Sequence, residues 1–357
     1  MKKDTFVVRN GYDGEKCFVH ARSCFDGRIA LLTAQYLFVC GCDFFDGIYS
    51  CISLDEGKTW SEFKAQEGLS PIIDGDIITV PCDATPMYHK KSNKILLLGH
   101  TTQYKSGGKS SANGCERHTF YSVYDPDNDS FSRMKFVDMP KEFSSFGNGC
   151  GQSVELPDGD ILIPIYGNIG EATATCATVM RCSFDGVDVK FKEIGNLLEL
   201  NIERGVCEPS IIFHNGEYLM TARNDECGLV AKSSDGLHYT DMQLWKWQDG
   251  SILPNYNTQQ HWMTIGNELY LVYTRRDNSN NHVFRHRAPL FAAKVEGMRL
   301  VKDSEFSITC ERGARLGNFG VTEFKDGKSA VTVAEWMQPK GCEQYGSDNS
   351  VYFITVE

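Results

Sequence analysis

The sequence predicts an all-β protein of six repeated antiparallel modules, and three observations predict it. Apolar residues recur in short runs with almost no helical spacing. The runs are separated by Asp-Gly, Asn-Gly and similar turns. One hairpin pattern, an extended run, a turn and a second extended run, occurs six times. The turns centre on Gly27, Asn93, Gly159, Gly216, Asn267 and Gly327, roughly 60 residues apart. Sequential antiparallel strands in such units suit a β-propeller, because each unit makes one four-stranded blade and radial closure protects the strand edges. A six-bladed propeller is expected, with seven blades as the alternative, as one domain over residues 1–357.

Each blade takes its second strand from the run after the turn: Arg28-Ile29-Ala30-Leu31-Leu32, Ile95-Leu96-Leu97-Leu98, Ile161-Leu162-Ile163-Pro164-Ile165, Tyr218-Leu219-Met220, Leu269-Tyr270-Leu271-Val272-Tyr273 and Ala330-Val331-Thr332-Val333. These nearly continuous apolar runs fit strands buried on both faces. Third strands are predicted over 47–53, 119–124, 173–183, 228–233, 289–295 and 350–356. The last of these is placed to pair with Thr5-Phe6-Val7-Val8 and close the ring.

Composition narrows the function. The chain carries 36 Lys+Arg against 47 Asp+Glu, a net charge of −11, with no basic run. A nucleic-acid backbone or an anionic membrane needs a basic footprint, so neither is expected as a partner. The start, Met1-Lys2-Lys3-Asp4-Thr5, lacks the apolar stretch of a secretory signal, which predicts a cytoplasmic location. The 14 cysteines include no C-x-x-C pair and read as reduced core thiols. Neither a phosphate-binding loop nor a dinucleotide fingerprint is present, so no cofactor and no metal are expected. Oligomeric state is left open.

After the third strand of blade one, Ser53-Leu54-Asp55-Glu56-Gly57-Lys58-Thr59-Trp60 resembles the Asp-box turn of sialidase-superfamily propellers, with shorter copies at Ser183-Phe184-Asp185-Gly186 and Ser233-Ser234-Asp235-Gly236. Such a turn is a structural device, an Asp accepting backbone N–H bonds. Cys207-Glu208-Pro209-Ser210 followed by Thr221-Ala222-Arg223-Asn224 resembles the family's Asn-Glu-Pro run, whose Glu assists the nucleophile and whose following Arg grips a carboxylate. Arg22 and Arg287 resemble the other two carboxylate-binding arginines. The family's nucleophilic Tyr belongs where this chain reads Ala314-Arg315-Leu316-Gly317-Asn318-Phe319-Gly320, without a Tyr. More distantly, His100, His118 and Tyr166 are similar in order and approximate spacing to the His, His and Tyr of propeller-type polysaccharide lyases, the ulvan and rhamnose–glucuronate lyases.

Strand geometry selects residues independently. In an antiparallel blade the entry of the first strand, the exit of the second and the entry of the third share one rim. That rim collects His100, His118, Tyr166 and Glu208 as candidate catalytic groups. It also collects Arg22, Asp83, Arg223, Gln260, His261, Arg275, Arg287 and Arg315 as candidate substrate-binding groups. Arginine forks suit a carboxylate, so the expected ligand is an acidic oligosaccharide. His89, before Lys90-Lys91, reads as solvated. Two reactions fit. In β-elimination at a uronic acid, arginine neutralises the carboxylate while His and Tyr serve as base and acid; in sialidase-like hydrolysis, Glu208 activates a nucleophile and Asp83 protonates the leaving oxygen. A non-catalytic glycan-binding ring is the third reading.

Overall fold

The computed structural model describes residues 1–108, 117–170, 172–255 and 257–357. Its strands form six separate antiparallel sheets, five of them built in unbroken chain order and the sixth completed by the N-terminal strand. Blade one comprises Lys16–Phe25, Ala30–Phe38, Phe45–Ser53 and Lys64–Ala65. Blade two is led by Ile77–His89, Lys94–Lys105 and Thr119–Asp125, and blade three by Val154–Glu155, Asp160–Gly167 and Cys176–Phe184. Blade four opens with Cys207–His214, Glu217–Arg223 and Gly228–Ser233, and blade five with His261–Ile265, Glu268–Tyr273 and Phe291–Glu296. Six blades are present.

Blade six combines Phe319–Glu323, Ser329–Ala334 and Val351–Val356 with the N-terminal strand Lys3–Arg9. Thr5 lies opposite Ile354 and Val7 opposite Tyr352, so the two ends of the chain close the ring as the sequence predicts. The second strands are buried on both faces because neighbouring blades pack flat against each other. Leu96 and Leu98 of blade two share a core with Ile161, Ile163 and Ile165 of blade three, and Val272 of blade five shares one with Val331 and Val333 of blade six. Each described cysteine is a free thiol. No helix among the described residues is long and apolar enough to cross a membrane.

Two contacts explain how the blades are held. Asp55 Oδ1 accepts from Thr59 N at 2.8 Å and its Oδ2 from the Thr59 hydroxyl at 2.7 Å, while Trp60 Nε1 donates to Gly57 O at 2.9 Å. This turn then packs Trp60 on Phe353 of blade six, ring centroids 5.2 Å apart. His89, expected in solvent, is buried, with Nδ1 2.8 Å from Ser92 Oγ and Nε2 2.9 Å from Gly159 O in the next blade.

At the axis, Gln152 spans from blade three to the far side. Its Nε2 donates to Trp262 O at 2.9 Å and Val321 O at 3.2 Å, and its Oε1 accepts from Trp262 N at 2.7 Å. Below it a cavity of about 910 Å³ opens among the six innermost strands, away from the rim that carries the candidate residues.

Gly57 has φ +85°, and a Cβ there would meet the Phe353 ring at 2.3 Å. Gly57→Ala is therefore expected to destabilise the protein by about 1–3 kcal/mol through strain and overpacking. Urea unfolding measures it, and an unchanged midpoint would contradict the blade-one to blade-six packing.

Candidate active site

Three innermost strands break register at the same level. In blades one, two and four the pairing slips after Val19, Cys82 and Cys207. The slipped residues His20, Asp83 and Glu208 have φ of 56°, 51° and 51°. A non-glycine residue in this region is strained, and a β-bulge re-aims its side chain. Here the device turns a His, an Asp and a Glu toward the axis.

The first two build a floor. Arg22 is 0% exposed. Its NH2 donates to Asp83 Oδ1 at 3.1 Å and to Gln259 Oε1 at 3.3 Å, and His20 Nε2 lies 3.2 Å from the same Asp83 oxygen. Burial works against ionising Asp83, but the neighbouring His20 and Arg22 outweigh it and hold the carboxyl far below the usual range. Gln259 Oε1 also meets His261 Nε2 at 2.7 Å, and His261 Nδ1 meets Ser210 Oγ at 2.8 Å. Burial, with Arg22 adding to it, drives the His261 imidazole down to about 3.

The wall carries Glu208. Its Oε1 accepts from Arg223 NH1 at 2.6 Å, whereas its buried Oε2 has no hydrogen-bond partner. Burial opposes its charge, yet Arg223 and Arg204 keep it ionised. Arg223 NH2 continues to Asp225 at 3.1 Å and Asn257 Oδ1 at 2.6 Å. The charge of Glu208 acts on Tyr166, His100, His261 and Arg287.

Across from it, the Tyr166 ring lies 6.3 Å from His100, edge to face, and carries the Arg117 guanidinium at 4.9 Å. Burial raises the Tyr166 phenol well above its ordinary value against the pull of Arg117. Burial and then Arg117 lower His100 to about 3. His100 fits only because Gly149 lacks a side chain, since a Cβ there would meet its Nδ1 at 1.9 Å.

Two of the four buried arginines, Arg287 and Arg315, have no carboxylate partner among the described residues, whereas Arg22 and Arg223 do. Arg287, 4% exposed, donates Nε to Asn257 O at 2.8 Å and NH1 to Asn318 Oδ1 at 3.4 Å. Burial, then Arg223 and Arg315, push it well below the normal arginine range. Arg315 is the other, bonded to Gln338 Oε1 at 3.2 Å.

The structure thus gathers His100, Tyr166, Glu208, Arg223 and Arg287 around one centre, with Asp83, Arg22 and His261 beneath. Four expectations need correction. His118 turns away, its Nδ1 on Ser144 O at 3.0 Å and its ring against Phe136, while Arg117, one position earlier on the approach to the strand Thr119–Asp125, meets Tyr166. Arg275 grips Glu305 through Nε at 2.9 Å and NH2 at 2.7 Å and bonds Asp277, bracing the outer part of blade five. Gln260 is consumed internally by Thr221 and Thr258 O, and Gln259 has the position expected of it. Arg22 and Asp83 neutralise each other, so neither is a free arm and Asp83 is no proton donor. Arg117, Asn257 and Gln259 escaped the rim count. Arg117 is one position before His118, and Asn257 carries no charge to single it out.

No family model matches the chain, and no curated protein matches it in sequence. Solved structures do. A Trypanosoma rangeli sialidase superposes with TM-score 0.66 at 16% identity, over 99% of this chain and 59% of its own. A leech intramolecular trans-sialidase gives 0.66 at 12% identity, over 99% and 70%. NanB with the compound optactamide gives 0.68 at 13% identity, again over 99% and 70%. The chain spans less than two thirds of the trypanosomal enzyme's length. The fold of the chain is thus similar to that of these solved enzymes.

The buried imidazoles set an acid limit. His100 and His261 sit at about 3 when folded against 6.5 when free, so unfolding takes up protons below pH 6.5. Their contribution is present above that pH and is lost as the pH falls toward about 3; Asp83, also depressed, adds loss in the same direction. The urea midpoint should fall between pH 7 and about pH 4.5, less steeply in His261→Gln. Asp83→Asn should cost about 3–5 kcal/mol by stranding the Arg22 charge.

Proposed function

We propose that the chain is a carbohydrate-active enzyme that cleaves a glycosidic bond next to an acidic sugar, by β-elimination at a uronate. The observation that carries this is Arg287: a buried cation with no carboxylate of its own, beside Arg223 and within reach of the His100–Tyr166 pair's neighbour Glu208. A buried unpaired charge is costly, and a substrate carboxylate would relieve that cost with a bidentate bond.

Elimination needs a proton taken from the carbon next to the carboxylate. The electron pair becomes the C=C bond as the C–O bond to the leaving sugar breaks, and an acid protonates that oxygen. The resting proton inventory suits it. His100 is held neutral and can accept; Tyr166 is held protonated and can donate. Arg287 and Arg223 would take up charge as it develops on the carboxylate.

A second reading is sialidase-like hydrolysis. The unpartnered Oε2 of Glu208, its charge acting on Tyr166, favours it, with Tyr166 as nucleophile and Glu208 as base. Sialic acid and the inhibitor DANA are bound by the T. rangeli sialidase in other structures of that enzyme.

Uronate-capped and sialylated oligosaccharides, incubated with the protein and followed by mass and near-ultraviolet absorbance, decide. Elimination gives an absorbing product, and product masses sum to the substrate; hydrolysis gives no such absorbance and adds one water. Under elimination, Tyr166→Phe and His100→Gln should each lower kcat by about 10²–10⁴-fold. Rate should stay flat from roughly pH 5 to pH 9, because the acceptor titrates at about 3 and the donor well above 10. A graded loss of affinity without turnover in any variant would mark a glycan-binding ring instead.

A further inference from the structure

Beside the cup, between blades five and six, lies a cleft of about 410 Å³ bordered by Phe284, Arg285, Arg315, Trp336, Gln338 and Tyr345. Arg315 is 7% exposed, yet among the described residues its side chain makes one hydrogen bond, to Gln338, and no ion pair, and its Nε has no partner there. Its guanidinium carbon lies over the Trp336 ring, 3.9 Å from the centroid, and 5.2 Å from the centroid of Phe284. Burial lowers it to about 10, so it keeps its charge at neutral pH. Arg285, exposed and likewise without an ion pair among the described residues, stacks on Phe284 at 5.1 Å.

The cleft is joined to the cup by the chain itself. Leu316 N donates to Arg287 O, so the turn carrying Arg285 and Arg287 runs beside the segment carrying Arg315. Arg287 is thus close enough to feel the Arg315 charge, while Arg285 and Arg315, not Arg287, border the cleft. A guanidinium over a ring keeps N–H groups available, and aromatic rings offer a surface for the C–H face of a pyranose.

We infer that this cleft is a second carboxylate subsite, which receives the acidic sugar joined to the one held in the cup. The inference rests on the proposed function above and goes further, since it makes the preferred substrate an oligosaccharide with carboxylates on adjacent residues. Arg287 serves the first carboxylate and Arg315 the second.

The test titrates four probes by calorimetry and tryptophan fluorescence: galacturonate, its α-1,4-linked dimer, sialic acid and its dimer. Within one pair the dimer should bind about tenfold or more tighter than the monomer. Arg315→Gln should remove that advantage and leave monomer affinity unchanged. The dimer alone should change the emission of Trp336, a signal absent in Trp336→Phe, which guards against misfolding of the arginine variant. Equal affinity of monomer and dimer in both pairs overturns the inference, as does loss of monomer affinity in Arg315→Gln, which would put Arg315 in the cup. Failure of all four probes to bind overturns the reading of the cup as well. Monomer binding that survives in Arg315→Gln but vanishes in Arg287→Met separates the two sites.

Discussion

The ion pair between Arg22 and Asp83 is the constraint on which the axis depends. An arginine without exposed surface would be ruinous alone, since removing a guanidinium from water costs several kcal/mol unless an opposite charge and hydrogen bonds replace its hydration. Asp83 supplies the charge from blade two, and Gln259 supplies an acceptor from the approach to blade five, so three blades meet at one blade-one side chain. His20 completes the set from the same bulge level. Because these groups satisfy each other, the floor is electrically closed. The chemistry above it is left to other side chains.

That closure gives meaning to the remaining arginines. The chain has 47 acidic residues for 36 basic ones, so an arginine without a carboxylate is not short of candidates. Most find one: Arg223 has Glu208 and Asp225, Arg275 has Glu305 and Asp277, and Arg181 has Asp158, Asp160 and Glu193. Arg287 and Arg315, both more than nine-tenths buried, have none among the described residues. In an acidic protein, two neighbouring buried cations repelling each other are best explained by a ligand that brings the missing negative charge.

The fold was legible because its signals are local and repeated. Each hairpin turn carries a residue able to adopt a left-handed conformation, as Gly27, Asn93, Gly159, Gly216 and Gly327 do, and the apolar run that follows can only be a buried strand. The site was legible in part, at residues whose rim position follows from counting along a regular strand: His100, Tyr166, Arg223. Where the strand is irregular, counting puts Asp83 and Glu208 on the rim but does not show which partners they face. The bulges at His20, Asp83 and Glu208 shift the facing of everything beside them, and nothing in a single sequence announces an inserted residue. Arg275 failed for another reason, since a rim position does not reveal that Glu305, 30 residues on, will claim the guanidinium.

The choice between reactions then turns on which groups still have a proton to move. Asp83 is fixed as an anion by the floor, and Glu208 is fixed as one by Arg223 and Arg204, so neither is a proton donor at neutral pH. His261 spends both ring nitrogens on Ser210 and Gln259. What remains is a neutral imidazole at His100, with Nδ1 unbonded, and a protonated phenol at Tyr166, two rings edge to face under one guanidinium. Hydrolysis would have to turn that phenol into a nucleophile against a burial effect that resists its ionisation. Elimination uses both groups in the protonation states they already hold, which is why the acid–base pair, rather than the fold it shares with sialidases, governs the reading of this cup.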